Sequence, residues 1–117
     1  MGRRVIRGEV WWADLADPRG SEPGSRRPIV IVQDDLLTQS RLHTVMVAPI
    51  TSNLLRAKGA GNVLLKPAVS GLKRESVVLV CQVLTVDKSL LTECIARLPR
   101  RVMSLVDDGL RLALDLR

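Results

Sequence analysis

A chain of 117 residues with 46% apolar side chains is one domain able to bury a core, which excludes a disordered segment. No apolar run approaches the ~20 residues of a membrane-spanning helix, and the basic start, Met1 to Arg7, lacks the apolar stretch of a secretion signal, so a cytoplasmic location is expected. The net charge of +6 favours RNA, DNA, an anionic membrane or an acidic protein as partner, or else serves only solubility.

The aromatic content narrows this further. There is no Phe or Tyr, and Trp11 and Trp12 stand alone, which argues against RNA recognition by rows of stacked rings. Two cysteines, Cys81 and Cys94, make no disulfide framework, and their apolar surroundings predict that both pack as small hydrophobes. A single histidine, His43, with no cysteine near it, supplies no zinc site of the usual kind, and no metal or other cofactor is expected.

In chain order, Arg7 to Leu15 reads as a first strand opened by Gly8. Val10, Trp12 and Asp14 fall on one face, with Glu9, Trp11 and Ala13 on the other. Ala16 to Arg26 is a long loop of Pro, Gly, Ser and charge, the kind that carries function. It runs into a strand from Ile29 to Gln33, apolar on both faces and therefore central. Pro28 suits the first residue of that strand and holds Arg27 extended at its rim.

Asp34-Asp35 open a short helical turn, and Thr44 to Ile50 is a third strand in which Pro49 marks a bulge or an unpaired edge. Thr51, Ser52 and Asn53 lie at its tip, before a flexible basic loop from Leu54 to Gly61. A short strand, Asn62 to Leu65, a turn at Ser70-Gly71 and a strand from Ser76 to Val83 follow. Asp87 to Leu91 is a turn or short helix, and Glu93 to Leu98 is the last strand. The end of the chain has helical periodicity. Val102, Leu105, Val106, Gly109, Leu110, Leu112, Ala113 and Leu116 share one face of a helix of about four turns. Its polar face is mixed in charge, so it is a lid on a sheet and not a membrane anchor. Short strands followed by one helix predict a small, mostly antiparallel, partly closed barrel.

Several residues carry possible chemistry. Arg27 offers a planar, permanently charged fork to a phosphate, or makes an ordinary surface ion pair. Thr51 and Ser52 can donate to a phosphate oxygen or cap a turn. Ser21 and Glu22 bring a hydroxyl and a carboxylate beside the cation, the carboxylate as a base or as a prop for the arginine. Gly20 and Gly24 form no phosphate-binding loop, because no Gly-Lys-Ser/Thr follows.

Taken in order, Glu9 to Leu15, Gly20-Ser21-Glu22, Arg27-Pro28, Val30 to Gln33, Ala48-Pro49-Ile50-Thr51-Ser52 and Thr85-Val86-Asp87 resemble the MazF/PemK family. These are the toxin halves of bacterial toxin–antitoxin pairs, and the resemblance runs from Arg7 to the final helix. It implies an SH3-like barrel with a C-terminal helix, a homodimer, and metal-independent cleavage of single-stranded RNA that leaves a 2′,3′-cyclic phosphate and a 5′-hydroxyl. The family's catalytic arginine falls on Arg27 and its strand-tip threonine on Thr51. The RNA would be held by Ser21, Glu22, Ser52, Asn53, Arg56, Lys58 and Gln82. A cognate acidic antitoxin is the implied inhibitor.

The chain departs from the family in places. Leu79 and Cys81 stand where the PemK-type branch has a catalytic Arg and Asp, and Pro23 replaces a usual Gln. Two other functions share this shape: a toxin that poisons DNA gyrase and a non-catalytic RNA-binding barrel. The gyrase poisons rely on an aromatic C-terminal tail, which Leu114-Asp115-Leu116-Arg117 does not supply.

Overall fold

The computed structural model describes residues 4–15 and 26–116. Its strands are β1 (Glu9–Asp14), β2 (Arg26–Ile31), β3 (Thr44–Thr51), β4 (Val63–Leu65), β5 (Ser76–Val78), β6 (Leu84–Asp87) and β7 (Leu91–Arg97). The helices are α1 (Asp35–Thr38), α2 (Pro67–Ser70) and α3 (Arg100–Leu114). The strands form one curled sheet in the order β4-β5-β3-β2-β1-β7, with β6 also paired to β3, and every pairing among them is antiparallel. The expected partly closed barrel with a C-terminal helix is the fold observed.

The sheet is covered on both faces because its central strands are apolar on both faces. Ile29, Val30 and Ile31 are fully buried. Val30 faces one cluster, built with Val10, Ala48, Ile50 and the helix residues Val102, Met103 and Val106. Ile29 and Ile31 face the other, with Trp11, Val45, Val47 and Val86. The alternation predicted for β1 therefore places its two tryptophans in different surroundings.

Four details differ from expectation. First, β2 begins at Arg26, so Arg27 and Pro28 lie within the strand. Pro28 is tolerated there because the β2–β3 ladder starts one residue later, at Ile29 opposite Pro49. Second, Ser76 to Val83 is not one strand. The chain leaves β5, makes a 3-10 turn at Val80–Gln82, and returns as β6 beside another part of β3. Pro49 sits where β3 changes neighbour from β6 to β5, and its carbonyl there accepts from the Leu79 N–H at 2.9 Å. Third, Leu54–Lys58 is an ordered 3-10 turn, not a flexible loop, and Asn53 caps it by accepting from the Leu55 N–H at 3.2 Å. Fourth, both cysteines are exposed and neither packs in the core. Cys81 lies in the 3-10 turn, and Cys94 is a residue of β7, the end strand of the sheet order.

The helix face also needs correction. Val102, Met103, Val106 and Gly109 are buried, whereas Leu105, Leu112 and Leu116 are exposed. The apolar stripe is wider than the surface α3 covers, and the buried part is turned toward Met103. Gly109 fixes this seating. A Cβ on it would lie 2.2 Å from the carbonyl oxygen of Gly61, so only glycine permits the helix to approach that backbone.

Candidate active site

The sheet brings the two residues of interest together. Ile29 pairs with Pro49 across β2 and β3. The ladder ends at that pair, and Arg27 on β2 and Thr51 on β3 each lie two residues beyond it. The two residues line one cavity of about 810 Å³. Strands hold both side chains, so their spacing is set by the sheet.

The cavity has a cationic rim and a partly apolar floor. Arg26, Arg27, Lys73 and Arg74 line it, with Glu93 the one carboxylate among its described residues. Pro28, Ile50, Leu72 and Ile95 supply apolar surface, and Trp12 forms part of the wall. Lys73 and Arg74 are exposed on the segment between α2 and β5, which Gly71 opens at a φ of +77°. Arg26 pairs with Glu93 at 2.9 Å, and its guanidinium carbon lies 4.9 Å from the centre of the Trp12 ring. This excess of positive charge over a mixed floor suits a ligand that is anionic in one part and flat and apolar in another.

Thr51 serves both readings of its hydroxyl. Its Oγ1 accepts from the Asn53 N–H at 3.2 Å, which fixes the side chain at the strand end. An acceptor hydroxyl still has its own proton to donate, so Thr51 can hold an anionic oxygen in the cavity.

The other candidate residues are distributed as follows. Ser52 lines the cavity. Asn53 stands next to it as the cap of the 3-10 turn, with Arg56 and Lys58 on that turn and outside the cavity lining. Gln82 is exposed at the end of a different 3-10 turn, also outside the lining. Leu79 is buried and Cys81 exposed, and neither lines the cavity. Ser21 and Glu22, with Gly20, Pro23 and Gly24, lie outside the described residues. His43 is exposed and outside the lining, its carbonyl accepting from the Lys88 N–H. Lining residues that the sequence did not mark as site candidates are Trp12, Arg26, Lys73, Arg74 and Glu93. Strand alternation separates Trp12 from Trp11, but nothing local shows that a segment about sixty residues further along the chain completes the same wall. No group of three or more His, Cys, Asp or Glu capable of holding a metal occurs among the described residues.

Fold and site together define a small protein built on a curled, half-barrel sheet with a C-terminal helix and a cationic cavity lined by strand residues. The chain belongs to the family of PemK-like, MazF-like toxins of type II toxin–antitoxin systems, whose model matches residues 6–114. It is 45% identical to the endoribonuclease MazF6 of Mycobacterium tuberculosis over 112 residues, covering 96% of this chain and 98% of the relative. It is 38% identical to the endoribonuclease EndoA of Bacillus subtilis, covering 96% of each. Its fold matches a MazE–MazF structure from Deinococcus radiodurans with a TM-score of 0.79 at 27% identity, covering 99% of this chain and all of that one.

Proposed function

We propose that this protein is an endoribonuclease toxin that cleaves single-stranded RNA at a short sequence, without a metal ion, leaving a 2′,3′-cyclic phosphate and a 5′-hydroxyl. The observation that carries the reading is the placement of Arg27 and Thr51 in the lining of one cationic cavity. Transesterification by the RNA's own 2′-hydroxyl asks the protein for two things. The phosphorane needs charge stabilisation, which the Arg27 guanidinium supplies with a fork that matches two phosphate oxygens. The phosphate must be held in line with the 2′-oxygen, which suits the strand-anchored Thr51 hydroxyl. The guanidinium is a permanent cation, so Arg27 acts by its charge and not as a general base; solvent water takes the 2′-hydroxyl proton and supplies the one that the leaving 5′-oxygen needs. Ser52 lies beside Thr51, and Asn53, Arg56 and Lys58 extend the polar path along which the RNA backbone would run.

The same reading includes a homodimer. Leu64, Leu105 and Leu112 are exposed around a shallow cavity between β4 and α3, a contiguous apolar face that a second copy of the chain would cover. Its inhibitor would be an acidic, disordered antitoxin segment that folds on binding, competes with RNA for the cations around Arg27, and adds apolar anchors for affinity.

Purified protein incubated with single-stranded RNA in excess EDTA tests the mechanism. Cleavage should persist and yield 5′-hydroxyl ends. Activity lost to the chelator and restored by a divalent ion, or 5′-phosphate products, would contradict it.

A further inference from the structure

Trp11 and Trp12 are neighbours in β1 with opposite surroundings. Trp11 is buried in the core, and its indole N–H donates to Glu9 Oε1 at 3.1 Å. Trp12 is half-buried. It packs against the cluster of Val10, Val30 and Ile50, yet it also lines the Arg27–Thr51 cavity. Its backbone stands opposite Pro28 on one side and Glu93 on the other, so Trp12 is set one residue from the arginine that would meet the phosphate. The core holds the ring in place, and what covers it from the cavity is the Arg26 guanidinium.

That cover is weakly held. The Arg26–Glu93 pair is exposed on both partners, with side chains 48% and 64% accessible, and exposed ion pairs and exposed cation–π contacts each contribute little. Stacking of a nucleobase on an aromatic ring is the stronger interaction. The apolar floor of Pro28, Ile50, Leu72 and Ile95 has no use for a bare phosphate but matches the face and edge of a base.

We propose that Trp12 is the stacking platform for an RNA base next to the scissile phosphate, and that Arg26 is its displaceable cover. This rests on the ribonuclease reading above and assigns the subsite beside its cleavage centre. The incoming base takes the ring face that Arg26 now occupies. The guanidinium exchanges that contact for the flanking phosphate, while Glu93 keeps it near the rim. One isolated aromatic ring thus binds one base, which does not need the rows of rings that the composition argues against.

The test uses an RNA oligonucleotide containing the mapped cut site, with a single 2′-deoxy nucleotide there to prevent cleavage, and a matching series with one abasic nucleotide at each position. Binding is measured for wild type, Trp12→Phe and Trp12→Leu. Trp12→Leu should raise Kd by roughly 10-fold or more, while Trp12→Phe stays within about 3-fold. At one abasic position next to the cut, wild type should weaken to the level of Trp12→Leu, and the difference between them should vanish. The salt dependence of Trp12→Leu should match wild type, since no charge is lost, whereas Arg26→Gln should lower the slope by about one phosphate contact.

Tryptophan emission gives a second readout that survives a misfolded leucine variant. The intact oligonucleotide should quench it in wild type, the abasic one should not, and Trp12→Phe, which keeps only the buried Trp11, should lose the quench. Equal binding by wild type and Trp12→Leu, or a quench that persists in Trp12→Phe, overturns this inference and leaves the ribonuclease reading standing. Failure of wild type to bind RNA overturns both.

Discussion

The Arg27–Thr51 cavity and the outer face of α3 are opposites. The cavity gathers Arg26 and Arg27 of β2 and Lys73 and Arg74 of the segment before β5 around a partly apolar floor. The face over Gly61–Leu64 and Leu105–Leu112 is leucine-rich, with Asp108 the one charged residue among those described in its lining. In the cavity, charge is concentrated although like charges repel, which suits the polyanion proposed as its ligand. On the helix face, apolar surface stays in water although burial would stabilise it, which suits the second copy of the chain proposed to cover it. One region is therefore expected to govern chemistry with little effect on folding, and the other to govern assembly and stability with little direct effect on chemistry.

The sharpest separation should come from Arg27. Removing a preorganised group that stabilises transition-state charge costs on the order of 100- to 1,000-fold in rate. Arg27→Ala should lower single-turnover RNA cleavage by at least that factor and leave the thermal melting temperature unchanged, because the side chain is exposed. Arg27→Lys should also be strongly impaired, since a point charge does not reproduce the fork. A fully active Arg27→Lys would move the chemistry elsewhere.

Gly109→Ala should do the reverse. Helix propensity alone favours alanine by about 1 kcal/mol. The new Cβ would lie 2.2 Å from a backbone carbonyl, which cannot swing aside, and overpacking of this kind costs about 1–3 kcal/mol. The clash wins, so denaturant unfolding should show a net loss of stability. A stabilised variant would mean that α3 is free to shift away from Gly61.

Smaller effects on stability are expected from the paired substitution Leu105→Ser and Leu112→Ser, because both leucines are more than half exposed. Surface changes of this kind fall within ~0.5 kcal/mol for the folded monomer. Their readout is native mass, which should move from dimer to monomer at micromolar concentration. A mass unaffected by the change would place the interface elsewhere.

The smallest effect concerns Asp87, which lines neither region. Hydrogen bonds from Ser89 to its carboxylate, the backbone N–H at 2.8 Å foremost, hold its pKa below the ordinary 3.8. A depressed folded pKa means that stabilisation is present above 3.8 and disappears as pH falls through the folded value. The melting-temperature difference between wild type and Asp87→Ala should therefore narrow in acid below that point and stay constant above it.

The legibility of the chain follows how local each signal is. β1, β3 and α3 could be read because alternation and the helical period are carried within each segment. The division of 76–83 between β5, a turn and β6 could not, because a run of Val, Leu and Cys is apolar on either path and only the change of partner along β3 decides. The same holds for the helix. Leu105 and Met103 are both apolar, and which is covered depends on the contact between Gly109 and Gly61. For the candidate site, the family resemblance singles out Arg27 and Thr51, with Pro28 beside one and the strand tip beside the other. That both line one cavity is a property of the folded sheet. Lys73, Arg74 and Glu93 reach the cavity from separate elements, so no local pattern could have joined them to it.

The most direct test of the chemistry is a single-atom deletion in the substrate. Once the cut site in an oligonucleotide is mapped, the 2′-hydroxyl of the nucleotide immediately 5′ to it is replaced by hydrogen, with every other ribose kept. If the RNA's own 2′-oxygen attacks a phosphate held by Arg27 and Thr51, cleavage at that site should fall below detection while the oligonucleotide still binds and competes with intact RNA. Cleavage of the deoxy-substituted site at a rate near that of the intact RNA would mean that a water molecule is the nucleophile, and would contradict the assignment of Arg27 and Thr51 to in-line attack by the 2′-oxygen.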